Sequence, residues 1–118
     1  MTAKTLALWT ARVLLAALFV FASSGKLMSQ PEAIATFEKL GAPWLRWVIG
    51  VCELAGGIGI LLPQTAALAA LCLALLMLGA MASHVLVLGV ATIAPSIVAF
   101  ALSAWVAVEL RRTRTAKA

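Results

Sequence analysis

Arg12, Lys26, Glu53, His84 and Glu109 carry or can acquire charge inside segments that are otherwise apolar. An ionisable group at hydrocarbon depth is costly, so each of them demands a partner or a polar ligand. Glu53 is the sharpest case. It stands in Val51-Cys52-Glu53-Leu54-Ala55-Gly56-Gly57-Ile58-Gly59-Ile60-Leu61-Leu62-Pro63 with no other charge beside it. A carboxylate there can carry a proton, accept a hydrogen bond from a polar head group, or pair with a cation. Counted along the predicted spans from the same side, Arg12 lies about 9 Å in and Glu53 about 14 Å in. A guanidinium side chain bridges that offset, so Arg12 and Glu53 are the expected intramembrane polar pair, with Glu109 competing for Arg12. Such a pair either fixes which helices face each other or holds a proton or ligand head within the bundle. The alternative is that Arg12 snorkels to the interface and Glu53 holds a proton or a hydroxyl.

Lys26, Ser24 and His84 fall near the opposite end and are candidates for the lining of a polar mouth, with Glu109 as a further polar position at the Arg12 end. His84 has no second histidine or cysteine close by in sequence, so no metal site is expected. Cys52 and Cys72 do not form a C-x-x-C. Counting across the turn at Pro63 places Cys52 opposite residue 74 or 75, within a turn of Cys72, so a reversible disulfide is open. Apolar surroundings leave a reactive thiolate unsupported, and both cysteines otherwise read as small hydrophobes. No phosphate-binding glycine loop, dinucleotide fingerprint or H-E-x-x-H occurs, which leaves nucleotide and zinc-protease chemistry without a motif.

The elements that position these groups are membrane helices. Of 118 residues, 64% are hydrophobic and 11% charged, with a mean hydropathy of +1.12; soluble domains are roughly 45–50% apolar. A hydrocarbon core of about 30 Å takes about 20 residues per helical span, which gives room for four spans and no soluble domain. The sequence predicts an all-α integral membrane four-helix bundle over residues 1–118, with spans at about 6–27, 44–62, 66–88 and 92–110. The first segment also fits a signal peptide ending at Ala22-Ser23-Ser24, but three further apolar segments argue for a span. The last is short: Ser96 to Leu110 covers about 22 Å, so either its helix starts before Pro95 or the bilayer thins there. Pro63-Gln64-Thr65 makes spans two and three an antiparallel hairpin. Between spans one and two, Ser29-Gln30-Pro31-Glu32 reads as a capping box. It opens a short amphipathic interfacial helix with Ala33, Phe37 and Leu40 on one face and Gly41 as its stop. Gly56, Gly57 and Gly59, with Gly79 on span three, are small positions at which helices pack closely.

The net charge of +5 resides largely in Arg111, Arg112, Arg114 and Lys117. Placed directly after a span, these residues set orientation and argue against a nucleic-acid partner. With Lys4 and Arg12 they outnumber Lys26, Lys39 and Arg46, so both termini are expected on the cytoplasmic side. Trp9, Trp105, Trp44 and Trp47 then fall at the two interfaces as belt residues.

Arg12 with Leu14-Leu15 and Phe19, Ser24-Gly25-Lys26-Leu27, Leu40-Gly41-Ala42-Pro43, Glu53-Leu54-Ala55-Gly56-Gly57 and Leu78-Gly79-Ala80 together resemble the DoxX-like family of small bacterial membrane proteins. The resemblance covers nearly the whole chain. It implies a four-helix bundle in the bacterial inner membrane, with Arg12 and Glu53 at the family's recurrent intramembrane charges. It further implies a component of a redox or quinone-linked system, with quinone as the candidate cofactor and a redox partner protein supplying the rest. Two other roles fit such a chain: an accessory or assembly protein docking other membrane proteins through its glycine faces, and a small-solute or lipid transporter acting as a homo-oligomer. Membership alone makes no member an enzyme.

Overall fold

The computed structural model describes the backbone of residues 2–117 and the side chains of residues 2–112. The side chains of Arg114 and Lys117 therefore lie outside the described residues. The first helix, α1 (Ala3–Leu27), opens on Thr2, whose hydroxyl accepts from the Thr5 amide at 3.1 Å. It closes in a Schellman motif: Gln30 N–H donates to Gly25 O, Ser29 N–H to Lys26 O, and Ser29 takes the left-handed conformation at φ 57. The expected capping box is overturned by this ending. Ser29 is consumed as the exit residue of α1, and the next helix, α2 (Pro31–Lys39), is entered through Gln30 with Pro31 in its first turn and no side-chain cap. Phe37 is the one buried residue of α2, as its amphipathic pattern demands, and Gly41 at φ 77 completes a second Schellman motif.

Helices α3 (Leu45–Gly59) and α4 (Ala66–Ser83) follow, joined by a tight turn. A π-helical turn (His84–Leu88) and a 3-10 turn (Val90–Thr92) lead to α5 (Ala94–Lys117). No strand occurs among the described residues. Three segments are long and apolar enough to cross a membrane: Ala3–Leu27, Ala66–Leu88 and Ala94–Arg112. The last span is therefore not short: its helix starts before Pro95, the first of the two readings its apolar run left open. Ala94 starts α5, so Pro95 sits in the first turn, where its missing N–H costs nothing. With 15 residues, α3 is the short one.

Helices α1, α3, α4 and α5 form a ring in which α1 packs on α3, α3 on α4, α4 on α5 and α5 on α1. The buried face of α3 explains the ring. It is Gly50, Glu53, Gly56, Gly57 and Gly59, with no bulky side chain to hold neighbours away. A Cβ at Gly57 would meet Phe19 Cβ at 3.3 Å on α1, and one at Gly59 would meet Ala69 Cβ at 3.2 Å on α4. Leu15, Phe19, Ile60, Leu73 and Val106 fill the centre, while Phe21 and Leu86 are each 80% exposed and face outward as lipid-facing groups would. The molecule is 46 Å long, close to the about 40–45 Å of a bilayer with its interfaces.

Candidate functional site

Antiparallel packing fixes which charges meet. Gly50 lies against Lys26 and Leu27, and Gly57 against Ala16, Phe19 and Val20. That register sets Glu53 opposite the turn below Lys26, roughly 11 residues or about 16 Å from the level of Arg12. Side chains also lean toward the N-terminus of their own helix. Lys26 thus hangs from the α2 end into the bundle, and Glu53 leans up to meet it. Lys26 Nζ and Glu53 Oε1 are 2.7 Å apart, with the glutamate side chain 3% exposed and the lysine 20%.

The expected Arg12–Glu53 pair does not form. Arg12 leans the other way, toward the end of the bundle that carries the chain termini. Its Nε donates to Ile60 O at 2.8 Å, and its guanidinium lies 3.9 Å from the centre of the Trp9 ring. Ile60 closes α3, whose last carbonyls have no helical donors; Arg12 supplies one, and the Thr65 hydroxyl supplies Gly59 O at 2.8 Å. Glu109 is held by Lys4 at 2.5 Å and Arg112 at 3.3 Å. It thus belongs to the termini end and not to the polar mouth.

The Lys26–Glu53 pair borders a cleft of about 440 Å³ between the helices at the α2 end. Its remaining polar lining is Thr36 of α2, Ser83 and His84 at the end of α4, and Ser96 of α5. Phe19, Leu76, Met77 and Phe37 supply apolar wall. Lys26 and His84 thus share one cavity, as a polar mouth requires. Ser24 lines a smaller neighbouring cavity instead, and its hydroxyl donates to Phe21 O at 2.6 Å. His84 Nδ1 is engaged by Gly89 O at 3.2 Å and Thr92 Oγ1 at 3.3 Å, which leaves Nε2 as its second ring nitrogen for a ligand. The π-helical turn beginning at His84 is a local widening of the kind that recurs at functional sites.

The four glycines expected to mediate packing divide. A Cβ at Gly56 would lie 2.6 Å from Leu73 Cδ2, and Gly57 and Gly59 are similarly enclosed, whereas one at Gly79 would meet nothing within 4 Å. Gly79 is exposed and lines the cleft beside Leu75, itself 58% exposed. With no side chain of its own, it leaves a low point, a notch, in the outward-facing wall of the cleft. Cys52 and Cys72 are both free and exposed. No cluster of three metal-ligating side chains occurs among the described residues.

Sequence reasoning missed Lys26 as the partner of Glu53, and it missed Thr36, Ser83 and Ser96 altogether. The register set by Gly50 and Gly57, combined with the lean of helical side chains, is the signal that would have found Lys26. It also missed Arg46, whose Nη1 donates to Lys26 O and, at 3.0 Å, to Ser29 Oγ, and whose guanidinium lies 4.3 Å from the centre of the Trp47 ring.

The sequence model of the DoxX-like family matches residues 10–106, a stretch that holds Arg12, Lys26, Glu53 and His84 and ends short of Glu109. No curated protein and no solved structure matches the chain.

Proposed function

Since the chain belongs to the DoxX-like family, we propose that it is the membrane-embedded component of a redox or quinone-linked system, and that the cleft at the α2 end receives the head of a quinone-type molecule. The observation that carries this reading is a single buried ion pair facing an otherwise largely apolar cleft with a notch in its outward-facing wall. Ligand cavities of this character combine apolar walls with a few orienting polar groups. Lys26 is placed to donate to a carbonyl oxygen, and Glu53 to accept from a hydroxyl. His84, with Nδ1 occupied, offers Nε2 from the α4–α5 side. The formal charges of Lys26 and Glu53 cancel, which suits an uncharged head better than an ionic one. When bound, a quinone supplies two-electron, two-proton chemistry; this chain orients the head and keeps a proton acceptor beside it, and electron transfer falls to a partner protein.

In this reading α3 is the fourth crossing, with the turn residues after it completing its reach and the bilayer thinning around it. Lys4, Arg12, Arg111 and Arg112 mark the cytoplasmic end of a bacterial inner-membrane protein. Lys26, Lys39 and Arg46, accompanied by Glu32 and Glu38, mark the outer end. An accessory role would have to use the exposed Gly79 on α4, because Gly56, Gly57 and Gly59 are enclosed within the bundle.

The test is extraction of the mild-detergent-purified protein and mass spectrometry of its lipids. A quinone retained stoichiometrically by the natural sequence and lost from Glu53→Gln and Lys26→Met is the expected result. Extracts free of quinone, together with no quinone-dependent effect on any co-purifying partner, refute the proposal.

A further inference from the structure

The roof of the cleft is not a helix of the ring but α2, and α2 has space on both sides. A second cavity of about 250 Å³ lies between α1 and α2, and Ala22, Lys26, Thr36 and Phe37 line both it and the cleft. Where the cleft is mostly apolar, this cavity adds Ser24, Gln30 and Glu32 to the Lys26 it shares. At roughly 30 Å³ per water it has room for several.

We propose that this cavity is an aqueous vestibule and that Phe37 is the gate between it and the Lys26–Glu53 cleft, admitting water and small uncharged hydrogen-bonding solutes. The cleft then has two entrances of opposite character: the Gly79 notch from lipid and the Phe37 gate from water. Phe37 is 7% exposed and is the only buried residue of α2, so its ring is the main apolar contact that seats the helix. Each end of α2 adjoins a left-handed residue, Ser29 at φ 57 and Gly41 at φ 77. Both Schellman motifs terminate their helices completely, so α2 can tilt as one body without breaking a helical hydrogen bond. Arg46 pins the Ser29 side by donating to the Ser29 hydroxyl and the Lys26 carbonyl, which leaves the Gly41 side as the looser one. The Lys26–Glu53 pair behind the gate is formally neutral, which favours uncharged solutes over ions in the cleft. The gate does not depend on the quinone reading, since it concerns access from water and not what enters from lipid.

The experiment uses the full chain in proteoliposomes with Cys52 and Cys72 replaced by alanine. A single cysteine is placed in the vestibule as Ser24→Cys or, at Ala80 of α4, which lines the cleft and not the vestibule, as Ala80→Cys, and iodoacetamide, small, uncharged and water-soluble, is the probe. Ser24→Cys reacts readily. Ala80→Cys reacts slowly and speeds up about tenfold when Phe37→Leu or Phe37→Ala is added, and slows further with Phe37→Trp. The rate at Ser24→Cys stays the same across the Phe37 series, which separates gating from loss of fold. A rate at Ala80→Cys that ignores the size of residue 37 overturns the gate. An unreactive Ser24→Cys overturns the vestibule.

Discussion

The two ends of the bundle use the same device and reach opposite results. At the termini end Arg12 of α1 stacks on Trp9 and caps the C-terminus of α3. At the α2 end Arg46 of α3 stacks on Trp47 and caps the C-terminus of α1. Each of these two antiparallel helices thus closes the other. Beyond the caps the ends diverge. At the termini end Gly56 and Gly59 bring α3 against Leu73 and Ala69, and the space is filled. At the α2 end the bundle is held apart by an ion pair, a π-helical turn and an interfacial helix, and two cavities remain. Their carboxylates differ accordingly. Glu109 is met by Lys4 and Arg112, whose side chains are 58% and 70% exposed, whereas Glu53 is met by a lysine inside a cleft. One end carries the fold, and the other is hollow enough to hold something.

That contrast is exposed to mutation. The largest effect belongs to Gly56→Leu, which forces four carbons into the space held by Leu73 and costs upward of about 3 kcal/mol; it is read as failure to recover monodisperse protein. Arg12→Met leaves the buried Ile60 carbonyl without its charged donor and costs about 2–3 kcal/mol in thermal or denaturant unfolding. Arg46→Met, at a less buried site, costs about 1 kcal/mol. Equal losses from the two arginines would erase the distinction between the ends. At the cleft, Lys26→Met or Glu53→Gln alone strands the other partner and costs about 1–3 kcal/mol, less than a fully enclosed pair because Lys26 can turn outward. The double change Lys26→Met with Glu53→Gln recovers most of that loss and still abolishes ligand retention. A double-mutant cycle without coupling would show that the two residues do not act together. The smallest effect on stability, within about 0.5 kcal/mol, is that of Gly79→Leu, at a position where an added Cβ meets nothing within 4 Å. It is nonetheless expected to displace bound lipid-soluble ligand by closing the notch, measured in the same extracts.

The legible part of the fold was its helical content and its punctuation. Hydropathy located the long apolar segments, Gly41 marked the end of α2, and Phe37 marked its buried face. Ser29 was misread because Ser-x-x-Glu describes a helix start well but says nothing about a preceding helix that needs the same residue for its own exit. The last helix looked short because its apolar run is short, yet a proline is tolerated in a first turn and α5 continues into the basic tail. At the site, residue types identified Glu53, Lys26 and His84 as groups requiring an explanation, but Arg12 was matched to Glu53 by depth alone. Depth from each end is a one-dimensional measure; the register of α1 against α3 and the lean of their side chains are not contained in it.

By itself the sequence determined that this chain is a membrane protein of helices, where its charges fall along them, and which family it belongs to. Those properties follow from apolar run length and local residue chemistry, which act over a few turns of one helix. Only the tertiary structure decided that Lys26 and not Arg12 neutralises Glu53, that three glycines are enclosed by packing while Gly79 is not, and that Phe37 lines two cavities. Each of these depends on which faces of separate helices meet and at what height. In an apolar chain with so many interchangeable small and aliphatic residues, packing geometry settles that, and composition does not.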